Sequence, residues 1–97
     1  MKTYIALLNW TQKGIQEFRE SPSRVEKARE LIERNGGKMK SFYMTMGRYD
    51  MVSVIEAPDD ATYAKVMLVL ASKGGIRTET LTAFTEDEYR SIVDAAS

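Results

Sequence analysis

One pattern occurs twice in this chain, and it constrains the fold more than any other feature. An apolar strand-like run is followed by an amphipathic helix, and each helix ends at a Gly-Gly pair that leads into another strand. The first copy covers residues 4–37 and the second covers residues 51–75. Read in order, the elements are β-α-β-β-α-β, the split-βαβ or ferredoxin-like arrangement. The sequence therefore predicts an α+β domain with a four-stranded antiparallel sheet, two helices on one face, and a short C-terminal helix.

Length and composition limit the class of protein. A chain of 97 residues has room for one domain, residues 1–97. Its 14 basic and 14 acidic residues cancel, which argues against nucleic acid or an anionic membrane surface as a partner. The absence of Cys and His removes disulfides, thiolate zinc sites, Ser-His-Asp triads and HExxH sites. We therefore expect a protein without metal or cofactor and, because no signal peptide or bilayer-spanning run is present, a cytoplasmic one.

The strands are predicted from their apolar runs and the turns between them. Residues 4–10 are almost continuously apolar, as in a central strand covered on both faces. Residues 38–46 alternate loosely, and a tight turn at Gly47-Arg48-Tyr49-Asp50, hereafter the GRYD segment, leads into residues 51–57 as a hairpin. Residues 76–84 form the last strand. The alternation in the second strand places Met39, Ser41, Tyr43 and Thr45 on one face and Lys40, Phe42, Met44 and Met46 on the other.

Capping signals predict where the helices begin. Ser21-Pro22-Ser23 opens the first helix, because Pro suits the first turn and Ser23 with Glu26 forms a capping box. Thr85 with Glu88 forms another capping box for the C-terminal helix. The Pro58-Asp59-Asp60 segment caps the helix between them. The predicted buried stripe of the first helix consists of Val25, Ala28, Leu31 and Ile32. That of the second consists of Ala61, Ala64, Met67, Leu68 and Ala71, widened by Val66, Val69 and Leu70, and the last helix carries Tyr89, Ile92 and Val93.

A sheet with both helices on one face leaves its other face open. The strands predicted here carry large apolar side chains on both faces, and an uncovered apolar face of that size is an aggregation hazard. The simplest cover is a second copy related by a twofold axis, sheet against sheet. We therefore expect a homodimer or a higher homo-oligomer built from dimers.

Three segments carry a resemblance to a known family. They are the GRYD segment, the run YIALLNWT at residues 4–11 followed by Gly14-Ile15, and the run RTETL at residues 77–81 leading into AFT at residues 83–85. On these segments, and over nearly the whole chain, the sequence resembles the GYD-domain family of the dimeric α+β barrel group. The resemblance implies a ferredoxin-like fold and a dimer. It implies no catalytic residues, because the family has no settled activity.

Charged and hydroxyl side chains supply weak candidates for chemistry. Tyr49 and Asp50 could form a hydrogen-bonding pair at a cleft, or Asp50 could bind local backbone amides while Tyr49 anchors the turn. Arg77 and Glu79 share one face of the last strand, and Glu56 lies on the third strand. A buried carboxylate pair there would provide a general acid or base. The alternative is that Arg77 and Glu79 pair with each other or across a dimer interface.

Aromatic side chains supply candidates for ligand binding. Asn9 and Trp10 end the first strand, and Tyr43 joins Tyr4 and Tyr63 as side chains available to line an apolar pocket. Related barrels include cofactor-independent monooxygenases that use such residues, although this argument rests on fold alone. We favour packing in the core as the explanation of these aromatics.

Two functional hypotheses follow. The first is a non-catalytic module that binds a small apolar or aromatic ligand or serves assembly or regulation. The second is a cofactor-independent enzyme of the isomerase or monooxygenase type, acting on a small acidic or aromatic substrate. In it Asp50, Glu56 or Glu79 is the base, and Arg77 or Tyr49 stabilises developing negative charge. The lack of His and Cys favours the first.

Overall fold

The computed structural model describes residues 1–97 and confirms the α+β ferredoxin-like arrangement. The four strands form one antiparallel sheet in the order β2-β3-β1-β4, so the first strand is central as predicted. No helix in the structure has the length and apolar character needed to cross a membrane. In chain order the elements are β1 (Lys2–Trp10), α1 (Gln12–Gln16), a 3₁₀ turn (Phe18–Glu20), α2 (Ser21–Arg34), β2 (Lys38–Met44), β3 (Met51–Ala57), α3 (Asp60–Ser72), β4 (Ile76–Ala83) and α4 (Glu86–Ala96).

All three predicted helix starts are confirmed, including α2 with Pro22 in its first turn, and two of the three predicted side-chain caps are present. The Asp59 carboxylate accepts from the Thr62 amide at 2.8 Å, and Thr85 and Glu88 form the reciprocal capping box of α4. The capping box at Ser23 is wrong, because α2 begins at Ser21. The preceding 3₁₀ turn delivers Glu20 already in helical conformation, with φ −84° and ψ −11°, so the helix continues from the turn without a side-chain cap.

The register of the central strand assigns every strand residue to a face. Tyr4 lies opposite Ile55 and Thr82, and Ala6 lies opposite Ser53 and Thr80. These residues face α2 and α3, and Tyr4, Ala6, Ser53 and Ile55 are buried. The odd-numbered residues of β1 and their partners form the opposite surface, which we call the open face.

The predicted alternation of β2 is confirmed for residues 41–44, but it places Met39 on the wrong face. A register irregularity separates Met39, opposite Ile55, from Ser41, opposite Val54. The extra residue of this β-bulge shifts the alternation by one position. As a result Met39, Phe42 and Met44 share the helix-covered face, whereas Ser41 and Tyr43 share the open face.

The core lies between the sheet and the two long helices. Its buried side chains are Tyr4, Ala6, Ile32, Ile55, Ala57, Tyr63 and Val66. The stripe predicted for α2 is confirmed, with Ile32 buried and its neighbours half-buried. The main stripe predicted for α3 is wrong, because Tyr63 faces the core while Leu68 is 73% exposed; Val66, expected only to widen the stripe, is buried. α3 is apolar nearly all round, so periodicity could not select its buried side.

Two apolar surfaces have no cover within the chain. The open face carries Ile5, Leu7, Val52 and Val54, all half-buried, with Tyr43 and Leu81 exposed beside them. The second surface is α4, whose residues are all exposed, including Tyr89, Ile92 and Val93.

Candidate functional site

The GRYD segment lies in a six-residue loop at residues 45–50, longer than the predicted tight turn because β2 ends at Met44. The Thr45 amide donates to the Asp50 carbonyl at 2.8 Å, and the Thr45 hydroxyl donates to the Tyr49 carbonyl at 2.6 Å. Gly47 has φ +120°, a conformation that L residues rarely adopt. The loop is therefore closed by its own backbone and by Thr45.

Asp50 fastens this loop to the end of β1. Its amide donates to the Leu8 carbonyl at 2.9 Å and to Asn9 Oδ1 at 3.1 Å. Its carboxylate Oδ2 accepts from the Trp10 amide at 3.0 Å. The expected hydrogen bonds from the Asp50 carboxylate to amides of its own turn are not formed; the carboxylate binds an amide of a distant strand instead. This arrangement commits the side chains of Asp50 and Asn9 to structural hydrogen bonds.

Tyr49 reaches β4 on the open face. Its hydroxyl donates to Glu79 Oε2 at 2.8 Å, and this hydrogen bond, followed by partial desolvation, raises the pKa of Tyr49. Arg77 lies two residues from Glu79 on the same face of β4, opposite Asn9 of β1. Tyr49, Arg77 and Glu79 therefore form one polar group at the β4 side of the open face.

Glu56 lies on the open face but away from this group. It is opposite Thr3 of β1, whereas Glu79 is opposite Leu7. The separation of four residue steps from Thr3 to Leu7 corresponds to about 13 Å along a strand. Within one copy of the chain, Glu56 and Glu79 do not form a carboxylate pair.

The aromatic candidates are divided between the two faces of the sheet. Tyr4 and Tyr63 are stacked, with ring centroids 4.0 Å apart, beneath α3. Trp10 also lies on the helix-covered face, whereas Tyr43 is 63% exposed on the open face. Asn9, Trp10 and Tyr43 consequently do not line a common pocket.

A cavity lies between the sheet and the helices, and Met39, Met51 and Met67 are among the residues that line it. Its volume is about 210 Å³, and we call it the α2–α3 cavity. Its floor is formed by sheet residues including Ala6 and Ser53, and Ala28 of α2 lies above it. Small residues at facing positions leave this space unfilled. The small residues are visible in the sequence, but only the strand register shows that they lie next to one another.

These features define a class of small α+β proteins with an open sheet face, an apolar cavity beneath the helices, and an anchored hairpin loop. The sequence matches the GYD domain family over residues 4–93, and the chain belongs to that family. A curated relative from Thermus thermophilus is a "glutamine synthetase and cystathionine beta-lyase binding protein". It is 39% identical over 84 residues, which cover 86% of this chain and 88% of the relative.

Solved structures share the fold. A feast or famine regulatory protein from M. tuberculosis, complexed with L-methionine, aligns with a TM-score of 0.67 and 12% identity. An AsnC family transcriptional regulator from Agrobacterium tumefaciens aligns with a TM-score of 0.57 and 18% identity. The alignments cover 88% and 87% of this chain but only 51% and 50% of those proteins, so the chain spans about half their length. A protein from Thermus thermophilus aligns with a TM-score of 0.56 and 26% identity, over 88% of this chain and 95% of its own.

Proposed function

We propose that this protein is a non-catalytic binding and regulatory module that pairs with a second copy through its open face. The observation that carries the proposal is the open face itself, where Ile5, Leu7, Val52 and Val54 form a continuous apolar surface at the centre of the sheet. Burial of such a surface stabilises by about 25 cal/mol per Å². An identical face on a second copy is self-complementary under a twofold axis.

The C-terminal helix supports the same proposal. An isolated helix of this length is marginal in water, yet α4 has 11 residues and no buried side chain. Its apolar residues Tyr89, Ile92 and Val93 would be covered if α4 packed on the partner subunit. One association would then cover both apolar surfaces.

The binding target that we propose is a metabolic enzyme of the glutamine synthetase kind. The support is the Thermus thermophilus relative, whose name records binding to glutamine synthetase and cystathionine beta-lyase and which is 39% identical over most of both chains. We expect the glutamine synthetase of the organism that encodes this chain to co-elute with the purified protein in size-exclusion chromatography. Separate elution at micromolar concentrations of both would contradict the choice of target.

The pairing is tested by light scattering. A charge placed in the middle of the open face, Leu7→Lys, should convert the dimer to a monomer, because the ammonium would be buried between two sheets. Leu68→Lys on the outer side of α3 is the matched control and should leave the dimer intact. A wild-type monomer would overturn the proposal, and loss of the dimer in the control instead of Leu7→Lys would assign the interface to the helices.

A second candidate function is the cofactor-independent enzyme. The observation that favours it is the group formed by Tyr49, Glu79 and Arg77, because a phenol, a carboxylate and a guanidinium lie together on the open face. In this hypothesis an acidic substrate binds at the dimer interface. Tyr49→Phe would remove a hydrogen bond from the protein to the substrate, and Glu79→Gln would remove the catalytic base. Saturation-transfer NMR of a set of aromatic acids on the wild type and the two variants, with product analysis, separates turnover from simple binding.

A further inference from the structure

The α2–α3 cavity lies on the opposite side of the sheet from the open face. Buried Ala6, Ser53 and Ile55 form its floor, while Ala28 of α2 and Leu70 of α3 line its sides. Thirteen of its 19 lining residues are hydrophobic. A second hollow shares Trp10, Ser21, Val25, Phe42 and Met51 with the cavity and extends it toward the surface between α2 and β2. The cavity is therefore an apolar chamber that continues into a surface hollow.

All of the charged residues that line the cavity are basic. They are Arg24 and Lys27 of α2 and Lys73 at the C-terminal end of α3. Arg24 Nη2 is paired with Glu17 at 2.6 Å, and its other terminal nitrogen lies over Gly75, where a Cβ would be only 3.1 Å away. Lys27 and Lys73 have exposed side chains and no carboxylate partner. The rim thus combines three cations with one carboxylate.

The interior provides little else for a polar ligand. The Ser53 hydroxyl donates to the Ser41 carbonyl at 2.7 Å, and no acidic residue lines the cavity. A ligand with an ammonium group, such as an α-amino acid, would find no free carboxylate, because Glu17 at the rim is paired with Arg24 and Glu26 of the surface hollow is paired with Arg29. A ligand with a carboxylate would find cations at the rim and an apolar chamber beyond them.

The cavity volume sets the size of the ligand. An engineered apolar cavity of about 150 Å³ holds benzene. The 210 Å³ found here therefore suits one aromatic ring with a short side chain, or a short branched alkyl chain.

We propose that the α2–α3 cavity binds a small carboxylic acid with an apolar body, an aryl- or alkyl-carboxylate without an amino group. The carboxylate lies at Arg24, Lys27 and Lys73, and the body lies over Ala6 and Ser53 beneath Ala28. This inference deepens the binding function proposed above by assigning a site and a ligand class. It is independent of pairing through the open face, because the cavity is on the other side of the sheet.

The test uses 3-phenylpropanoate as the probe and titrates the full chain by calorimetry. Trp10 is the only tryptophan and lines the cavity, so its fluorescence, excited at a wavelength that the probe does not absorb, reports occupancy. We expect saturable binding of 3-phenylpropanoate. The uncharged analogue 3-phenylpropan-1-ol should bind about tenfold or more weakly, because it loses the charge-assisted contact. Phenylalanine should also bind about tenfold or more weakly, because it adds an unpaired ammonium group. Equal affinity for acid and alcohol would overturn the proposal.

Variants locate the site. Lys27→Gln with Lys73→Gln should weaken binding of the acid about fivefold or more without affecting the alcohol, while Lys65→Gln on the exposed side of α3 is the matched control. Ala28→Phe should fill the chamber and abolish binding; if it does not fold, Ala28→Leu is used. Unchanged binding in the charge variants and in a folded Ala28 variant would overturn the proposal.

The same samples separate this inference from the proposed pairing. A monomeric Leu7→Lys protein that still binds 3-phenylpropanoate would support the cavity and its ligand class, and would show that ligand binding does not require pairing. A dimeric wild type that gives no saturable binding would overturn the cavity proposal and leave the pairing intact.

Discussion

The carboxylate of Asp50 accepts a hydrogen bond from the backbone amide of Trp10 at 3.0 Å, which joins the hairpin loop to the end of the first strand. The side-chain oxygen of the adjacent Asn9 accepts a second hydrogen bond, from the backbone amide of Asp50. Two segments 40 residues apart in the chain, both part of the family resemblance, are therefore in direct contact. Asp50, the last residue of the GRYD segment, therefore holds the hairpin loop against the end of β1.

Asp50→Ala should lower the free energy of unfolding by about 1.5–3 kcal/mol, the usual effect of removing a hydrogen bond to a charged group. The Trp10 amide would lose its acceptor at a half-buried position. Urea denaturation measures the change. Asp94→Ala, at an exposed position of α4, is the control, and equal stability of the two variants would show that the fastening is unimportant.

Gly14→Ala should be more harmful than any other alanine substitution in α1. A Cβ at this position would lie 2.0 Å from the Gly75 carbonyl oxygen, a backbone atom that cannot move aside alone. Displacement of α1 would break the hydrogen bond from the Thr11 amide to the same oxygen, 3.1 Å long. We expect a loss of about 2–4 kcal/mol by urea denaturation. Gln16→Ala in the same helix should change stability by less than about 0.5 kcal/mol, and a similarly mild Gly14→Ala would contradict the close approach.

Tyr4→Phe should make stability less sensitive to acid. The Tyr4 hydroxyl donates to Asp60, and this bond, together with a second one from Lys2, holds the pKa of Asp60 below its usual 3.8. A carboxyl with a lowered pKa in the folded state stabilises above its unfolded pKa, and this contribution is lost as the pH falls through the folded pKa. The variant should therefore lose stability less steeply between about pH 5 and pH 3. Urea denaturation across this range measures the slope, with Tyr89→Phe on exposed α4 as the control.

The same substitution should make stability less sensitive to alkali. Burial, together with the bond to Asp60, raises the pKa of Tyr4 from 10.0 to about 12. A raised pKa means that the neutral phenol stabilises the fold below pH 10, and that this stabilisation declines as the pH rises toward 12. Phe cannot ionise, so the variant should unfold at a higher pH than the wild type. Parallel alkaline titrations monitored by circular dichroism would contradict the assignment if both proteins unfolded together.

Truncation after Thr85 should weaken self-association. It removes α4 and with it Tyr89, Ile92 and Val93, which have no cover within their own chain. If they pack on the partner, the dissociation constant of the dimer should rise at least about tenfold, because burying even one such side chain is worth about 1.5 kcal/mol or more. Sedimentation velocity measures the constant. An unchanged constant would show that α4 takes no part in pairing.

Secondary structure was largely accessible from the sequence because its signals are local. The Asp59 cap, the Thr85–Glu88 capping box and the Gly36 stop, with φ +81°, each depend on a few neighbouring residues. The opening of α2 at Ser21-Pro22-Ser23 was also accessible, and only the Ser23 cap was wrong, because a 3₁₀ turn leads directly into the helix. The buried side of α3 was missed because an apolar helix carries no periodic signal.

The candidate site depended far more on tertiary contacts. Tyr49 and Glu79 are 30 residues apart, and their hydrogen bond exists only because β4 lies beside β1 at the end where the loop is fastened. Tyr43 and Trp10 were grouped by residue type, but the bulge and the register place them on opposite faces.

The sequence by itself determined the order of the strands and of the three longer helices, the caps of α3 and α4, the family and the absence of His and Cys chemistry, since these depend on composition and on residues close together along the chain. Only the tertiary structure decided that Glu56, Arg77 and Glu79 share the open face, that Asp50 binds the Trp10 amide, and that a cavity lies beneath Ala28. The physical reason is that strand register turns a one-residue shift into a change of face. That register is set by pairing between strands far apart in the chain and by a β-bulge in β2 that the local sequence pattern does not predict.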